Sequence, residues 1–389
     1  MKFREALRVP LDRTRFPFVE VRSRSSRRAS QSVTLRSERP CFGIAFDIDG
    51  VILGGNAPIG GSRQALKRLY DECGTLRVPY VFLTNGGGIP ETKRARQLSE
   101  LLEVSILPSQ VIQGHSPFRL LLNRFMDKLI VAVGKGEPAQ VMSEYGYRRV
   151  LSIDEYASYF DDIDPVSQYK TWAGKTTYDA DMKSKAMVPR YDVFSERVQA
   201  AFIVSDPYDW SRDIQVLCDI LRSGGLPGKV AEHGHQLPLY FAADDLEYQA
   251  AFPSERLGMG AFRIALESIF NRIHPNALEY TSFGKPNSFV FKNAENVLKK
   301  LPPFSFIDSY ADNHEKSQPF KTLYMIGDNP PVDIKGAKQA GRPWFSILTR
   351  TGVFKGKSNH AEFPADLVVD SVEEAVDFIL KKESNSQGL

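Results

Sequence analysis

Phe42-Gly43-Ile44-Ala45-Phe46-Asp47-Ile48-Asp49-Gly50-Val51-Ile52 is the stretch that decides how this chain is read. An apolar run from Ile44 to Phe46 leads straight into two aspartates one residue apart. Apolar runs of this length read as strands covered on both faces, as in a parallel sheet. Strand residues two apart point the same way, so Asp47 and Asp49 leave the strand end near one another, and Gly50 lets the chain turn. Ligand sites in open α/β sheets lie beyond the carboxyl ends of the strands. An isolated Asp-Gly is an ordinary solvated turn, so the weight falls on the downstream motifs.

Three further pieces come in order. The run Val81-Phe82-Leu83 ends in Thr84-Asn85-Gly86. A lysine sits in the turn Gly284-Lys285-Pro286. The run Thr322 to Ile326 ends in Gly327-Asp328-Asn329, with Asp333 beyond it. The set DxD, Thr, Lys, GDxxxxD resembles the haloacid dehalogenase-like hydrolases; each match alone is weak, and the order makes the set specific. About 35 residues separate Asp49 from Thr84, and about 200 separate Thr84 from Lys285. Only the second gap has room for a further domain. The spacing is similar to the branch with a large α/β cap between the second and third motifs, which includes N-acetylglucosamine-phosphate phosphatases. The run Ala243-Asp244-Asp245-Leu246, continuing through Ala251-Phe252-Pro253-Ser254-Glu255-Arg256, resembles a mitochondrial subfamily of that branch.

The resemblance implies a doubly wound parallel sheet, Rossmann-like, with an inserted α/β cap, and a Mg²⁺-dependent phosphatase acting on a small phosphorylated metabolite. It implies Asp47 as nucleophile, forming an aspartyl-phosphate, and Asp49 as acid and then base. It implies that Thr84 and the backbone around Asn85 and Gly86 hold phosphoryl oxygens, with Lys285 neutralising charge. Asp47, the Asp49 carbonyl and Asp328 are the implied metal ligands, hard oxygens that suit Mg²⁺. Asp333 is implied to position Lys285 or the ligands. The cap is expected to choose the substrate through Asp206, Trp210 and Arg256; Arg256 either clamps a second anion or pairs with Glu255 or Asp245. A homodimer through the cap is a further implication. The alternative function is a regulatory or scaffold protein on a hydrolase fold, linked to phospholipid metabolism.

Other features are read more plainly. Gly134-Lys135-Gly136 lacks the GxxxxGK[ST] pattern and reads as a simple turn. His115, His233 and His235 invite a metal reading, but His-Gly-His without further spaced ligands reads as a loop. Phe262 and Phe289 fall on helical faces and read as core.

The 389 residues suit two domains, and 42% hydrophobic with 25% charged residues is an ordinary globular composition. No apolar run is long enough to cross a bilayer. Three scattered cysteines form no zinc or redox spacing and suggest a reducing compartment. A formal net charge of +3 gives no reason to expect nucleic acid as a partner. Residues 1–40 carry eleven basic and four acidic residues and are rich in serine, which reads as a transit peptide or a disordered basic leader. Mitochondrial location is expected, with plastid or cytosol as alternatives. The expected layout is core over 41–205 and 282–389 and cap over 206–281, with 161–196 a polar surface insertion and 308–320 a second one. Helices are expected over 92–102, 118–125, 214–221, 260–270, 288–298 and 372–380.

Overall fold

The computed structural model describes residues 40–170, 189–229, 236–302 and 320–387. The leader, most of the second polar insertion, and His233 and His235 lie outside the described residues.

Two parallel sheets organise the chain. In the first, the strands run Leu367–Val369, Trp344–Thr349, Thr322–Gly327, Phe42–Phe46, Tyr80–Leu83, Val111–Ile112 across the sheet. Every pairing in it is parallel. Phe46 pairs with Ile326 on one side and Phe82 on the other. The strand order reverses at Phe42–Phe46, so Asp47 leaves the sheet at its switch point, where open α/β sheets bind ligands. Ile44, Ala45 and Phe46 are fully buried, as their uninterrupted apolar run requires. Apolar clusters cover both faces: one with Leu66, Leu98, Val376 and Ile379, the other with Val290, Phe291, Ala294 and Leu298. The helix Glu91–Leu102 buries Ala95, Leu98 and Leu102, a stripe at helical spacing.

The second sheet runs Thr281–Ser282, Leu239–Phe241, Ala200–Ile203, Ile130–Val133, Val150–Ser152, again all parallel. It has its own aromatic-rich core, in which Phe118, Phe125, Tyr147 and Tyr240 surround Phe202. This moves the expected boundary. The strands at 130–133, 150–152 and 200–203 belong to the cap sheet, not to the core as 41–205 implied. Their apolar runs are of the same kind as the core strands, and a buried run does not say which sheet buries it. The chain leaves the first sheet after Ile112 and returns after Ser282.

The described ends of the 161–196 segment are packed against the cap. Val193 is fully buried in the cap core. Lys170, only 7% exposed, lies 2.7 Å from Asp164 and 2.6 Å from Asp209. Elements the sequence did not announce are short, among them the helices Pro138–Glu144 and Ile153–Ser158 and the strands Val150–Ser152, Thr281–Ser282 and Leu367–Val369. The segment 118–125, expected as one helix, lies in a 3₁₀ stretch Ser116–Leu121 followed by a single α turn, Leu122–Phe125. Pro117 stands at the start of that stretch, where no N–H is needed.

At the crossing between sheets lies a buried polar network. The Glu91 carboxylate accepts from the Tyr145 hydroxyl at 2.5 Å, the Ser116 hydroxyl at 2.8 Å and Arg119 Nη2 at 3.1 Å. His115 Nδ1 lies 2.7 Å from the Tyr145 oxygen, which as donor to Glu91 accepts from that ring nitrogen. This places His115, fully buried, among the residues that fix the crossing.

Candidate active site

Three adjacent strands deliver three motifs to one place. Asp47 follows Phe46, Thr84 follows Leu83, and Asp328 follows Gly327, each at a carboxyl end. Lys285 arrives from the loop between the last cap strand and the helix Ser288–Leu298. Its ammonium, 1% exposed, lies 2.9 Å from Asp47 Oδ1 and 2.7 Å from Asp333 Oδ1. Burial works against the Lys285 charge, but Asp333 and Asp47 outweigh it and hold its pKa above the ordinary lysine value.

Asp333 is committed on both oxygens. Oδ1 meets Lys285, and Oδ2 accepts from the amides of Asp328 at 3.1 Å and Asn329 at 3.0 Å. It stands on a π-helical turn, Pro330–Ile334, with both prolines in the first positions. A buried carboxylate bonded this way fixes the backbone that carries Asp328.

The carboxylates of Asp47, Asp328 and Asp333 have ligand atoms within 4.8 Å of one another. Burial pushes the Asp47 carboxyl up to about 8, against the pull of Lys285. Burial also pushes Asp328 well above the carboxylate range, and the Asp47 charge adds to it. Two buried acids driven toward protonation, beside one lysine shared with Asp333, form a donor set that a divalent cation would relieve. The donors are hard oxygens, which suits Mg²⁺. Asp328 Oδ2 also accepts from the Val353 amide at 2.7 Å. A Cβ on Gly352 would stand 1.8 Å from that oxygen, so the close passage of the 351–354 loop requires glycine there.

Asp49 lines the same cavity, close to Gly86. Burial raises its pKa, while Arg94 and Lys135 pull it down. A carboxyl shifted upward can carry a proton to a leaving oxygen. The Thr84 hydroxyl accepts from the Gly86 amide at 3.0 Å, leaving its own proton for another acceptor. Gly86 itself lines the cavity. The Asn85 side chain is a bracket. Nδ2 donates to Asp245 Oδ1 at 2.6 Å and to the Lys285 carbonyl at 3.0 Å, while Oδ1 accepts from the Lys285 amide at 2.7 Å.

The cap covers these residues. A cavity of about 90 Å³ is lined from the core by Asp47, Asp49, Thr84, Asp328 and Asn329. From the cap it is lined by Lys135, Asp206, Asp245, Tyr248, Gln249 and Met259. Asp206 is thus among the lining residues. Trp210 and Arg256 are not among the lining residues. The Trp210 indole donates to the Pro207 carbonyl at 2.9 Å and packs edge-on to Phe262. Arg256 is exposed, 4.6 Å above the Phe252 ring, and donates to the Glu255 carbonyl at 2.8 Å. It meets its own loop, the Glu255 carbonyl and the Phe252 ring, and not the cavity.

Lys135 and Asp245 are the residues the sequence reading passed over. The signal was present: Lys135 follows Ile130–Val133, Asp206 follows Ala200–Ile203, and Asp245 follows Leu239–Phe241, adjacent parallel strands whose carboxyl ends converge. Core and cap are tied at several points around the cavity. Lys93 pairs with Glu137, the Glu137 amide donates to the Gly88 carbonyl at 2.6 Å, and Lys355 lies 3.1 Å from Glu255.

Comparison with known proteins agrees with this geometry. A family model described as haloacid dehalogenase-like hydrolase matches residues 44–148, and one described as HAD-hydrolase-like matches 282–375. A mitochondrial hydrolase of Saccharomyces cerevisiae is 31% identical over 87% of this chain and 95% of its own length. A cardiolipin synthase and mitochondrial hydrolase fusion protein of Schizosaccharomyces pombe is 32% identical over 88% of this chain and 53% of the fusion. Among solved structures, a glycerol phosphate phosphatase of Mycobacterium tuberculosis in complex with magnesium superposes with a TM-score of 0.52 at 18% identity, covering 87% of this chain and 76% of that one.

Proposed function

Because the chain belongs to the haloacid dehalogenase-like hydrolases, we propose that it is a Mg²⁺-dependent phosphatase that cleaves a small phosphorylated metabolite through an aspartyl-phosphate on Asp47. The observation that carries this reading is the buried Asp47–Lys285–Asp333 chain beside Asp328. Asp47 Oδ1 is held by Lys285 and by the Ile48 amide at 2.8 Å, which leaves the second oxygen to attack phosphorus in line. Lys285 offsets charge on the nucleophile and the transferring group among buried side chains, where such an interaction counts for most. Thr84 donates its hydroxyl proton to a phosphoryl oxygen. Asp49 protonates the departing oxygen and then takes a proton from the water that releases phosphate. Asp47, Asp328 and the Asp49 carbonyl would hold Mg²⁺, which supplies Lewis-acid charge at the phosphoryl oxygens when bound. Asp333 holds Lys285 and the Asp328 backbone in register.

Asp206 on the cap joins the specificity surface in this reading. A mitochondrial location is supported by the description of the yeast relative. The test is phosphate release by the full chain from a panel of phosphate esters, with Mg²⁺ and with EDTA. Metal-dependent release supports the reading; release that EDTA leaves unchanged would sink it.

A second reading, a role beside phospholipid synthesis that needs no turnover, is supported by the fusion in Schizosaccharomyces pombe. It expects an Asp47→Asn chain to replace the wild type in a cell lacking the protein, an outcome the phosphatase reading forbids.

A further inference from the structure

The cap side of the cavity carries chemistry that phosphoryl transfer does not use. Lys135 Nζ lies 2.8 Å from Asp206 Oδ2 and 5.3 Å from the centre of the Tyr248 ring. Asp49, Lys135, Asp206 and Tyr248 all line the one cavity. In the phosphatase reading Asp49 protonates the leaving oxygen, so the Lys135–Asp206 pair stands where the leaving group must lie.

The pair is held from its backbone. Gly134 and Gly136 have φ of 131° and 87°, which L side chains rarely adopt. The Lys135 amide donates to the Asp206 carbonyl at 2.9 Å, and the Lys135 carbonyl accepts from the Ser205 hydroxyl at 2.6 Å. A Cβ on Gly88 would come within 2.4 Å of that carbonyl, so the core presses on the turn from below. The glycine turn therefore fixes where the lysine stem begins.

Charge and hydrogen-bond capacity narrow the ligand. The ammonium has three donors and Asp206 takes one; the Asp206 carboxylate keeps free lone pairs. Donor and acceptor thus stand side by side next to an aromatic ring. A hydroxyl both donates and accepts, and neighbouring hydroxyls match such a pair without disturbing it. A second anion on the substrate would have to take Lys135 from Asp206 while facing Asp49, Asp206 and Asp245. An ammonium would face Lys135, with Asp206 already compensated. The third carboxyl adds little to attract one: Asp245 is bonded to Asn85, and burial pushes its pKa up to about 7.

We propose that Lys135, Asp206 and Tyr248 form the leaving-group subsite of this enzyme, and that the subsite selects a small uncharged leaving group bearing neighbouring hydroxyls over one bearing a second charge. The proposal rests on the phosphatase reading and adds the class of substrate to it.

The test uses the full chain with Mg²⁺ and four esters: glycerol 3-phosphate, 2-phosphoglycolate, phosphoethanolamine and p-nitrophenyl phosphate. The expected result is a kcat/KM for glycerol 3-phosphate at least about tenfold above those of the two charged esters. Asp206→Asn, which leaves the Lys135 charge uncompensated, shifts the ratio of 2-phosphoglycolate to glycerol 3-phosphate by about tenfold toward the anion. Lys135→Met shifts that ratio away from it. Ratios within one variant are insensitive to the fraction folded. A wild-type preference for either charged ester, or variants that leave the ratio unmoved, would overturn the subsite. Hydrolysis of p-nitrophenyl phosphate with such a result would leave the phosphatase reading standing, whereas release from none of the four would remove both.

Discussion

Replacing Asp47 by Asn should abolish turnover and make the metal-free protein more stable. The carboxyl is pushed from 3.8 up to about 8, with burial the main cause and Lys285 opposing it. An acid whose folded pKa is raised contributes most to stability at low pH. That contribution is lost as pH rises from the unfolded pKa near 4 through the folded value near 8. At pH 7 the unfolded carboxyl is ionised, and the three or so pH units above 3.8 correspond to an upper limit of about 4 kcal/mol. Asn keeps the shape without the charge. It also gives up the attraction to Lys285 at 2.9 Å, which returns part of the gain. A net rise of about 2 kcal/mol, or about 5 °C in Tm, is expected for a domain of this size. The assay is thermal and urea unfolding in EDTA across pH 4 to 8. Wild type should lose stability with rising pH more steeply than the variant. Mg²⁺ at a hundredfold excess over its Kd should add about 2.7 kcal/mol to wild type and much less to Asp47→Asn. An Asp47→Asn protein that melts below wild type in EDTA at pH 7, or that turns over normally, would refute the reasoning.

Lys285→Met should act in the opposite sense on stability, because it leaves Asp47 and Asp333 buried and uncompensated. A loss of about 3–5 kcal/mol by urea unfolding, with kcat down at least about a hundredfold, is expected. Gly352→Ala drives a methyl into Asp328, so activity should survive only at raised Mg²⁺, with the half-saturating concentration up about tenfold or more. Burial lowers the His115 pKa from 6.5 to about 4, so the ring stays neutral in the fold while the unfolded chain takes up a proton. Acidification from pH 6.5 to 4 should therefore cost wild type about 3 kcal/mol that His115→Asn does not lose, read from urea midpoints along the pH series.

The core was legible because its chemistry is coded locally. Each of Asp47, Thr84 and Asp328 follows its own apolar strand directly, so strand and motif are read together. Asp333 was legible by spacing, and the two prolines before it only set the turn that delivers it. The cap was less legible for a physical reason. Ile130–Val133 and Ala200–Ile203 are buried runs like those of the core, and sheet membership depends on tertiary pairing that a run does not encode. Lys135 looked like a plain turn because its partners, Asp206 and Tyr248, are far off in sequence and meet it only when adjacent parallel strands bring their ends together. For Arg256 the sequence left open an anion clamp or a pairing with Glu255 or Asp245; in the fold its guanidinium meets the Phe252 ring and the Glu255 carbonyl, contacts that depend on how its loop is folded.

In the proposed mechanism the phosphoryl group passes through Asp47. Mixing the full chain with a radiolabelled phosphate ester and Mg²⁺, quenching in acid within milliseconds and mapping the labelled peptide tests it most directly. Acid-stable, alkali-labile label is expected on the peptide containing Asp47, and none in the Asp47→Asn protein. Rapid phosphate release with no label on that peptide, or release that persists in Asp47→Asn, would contradict it.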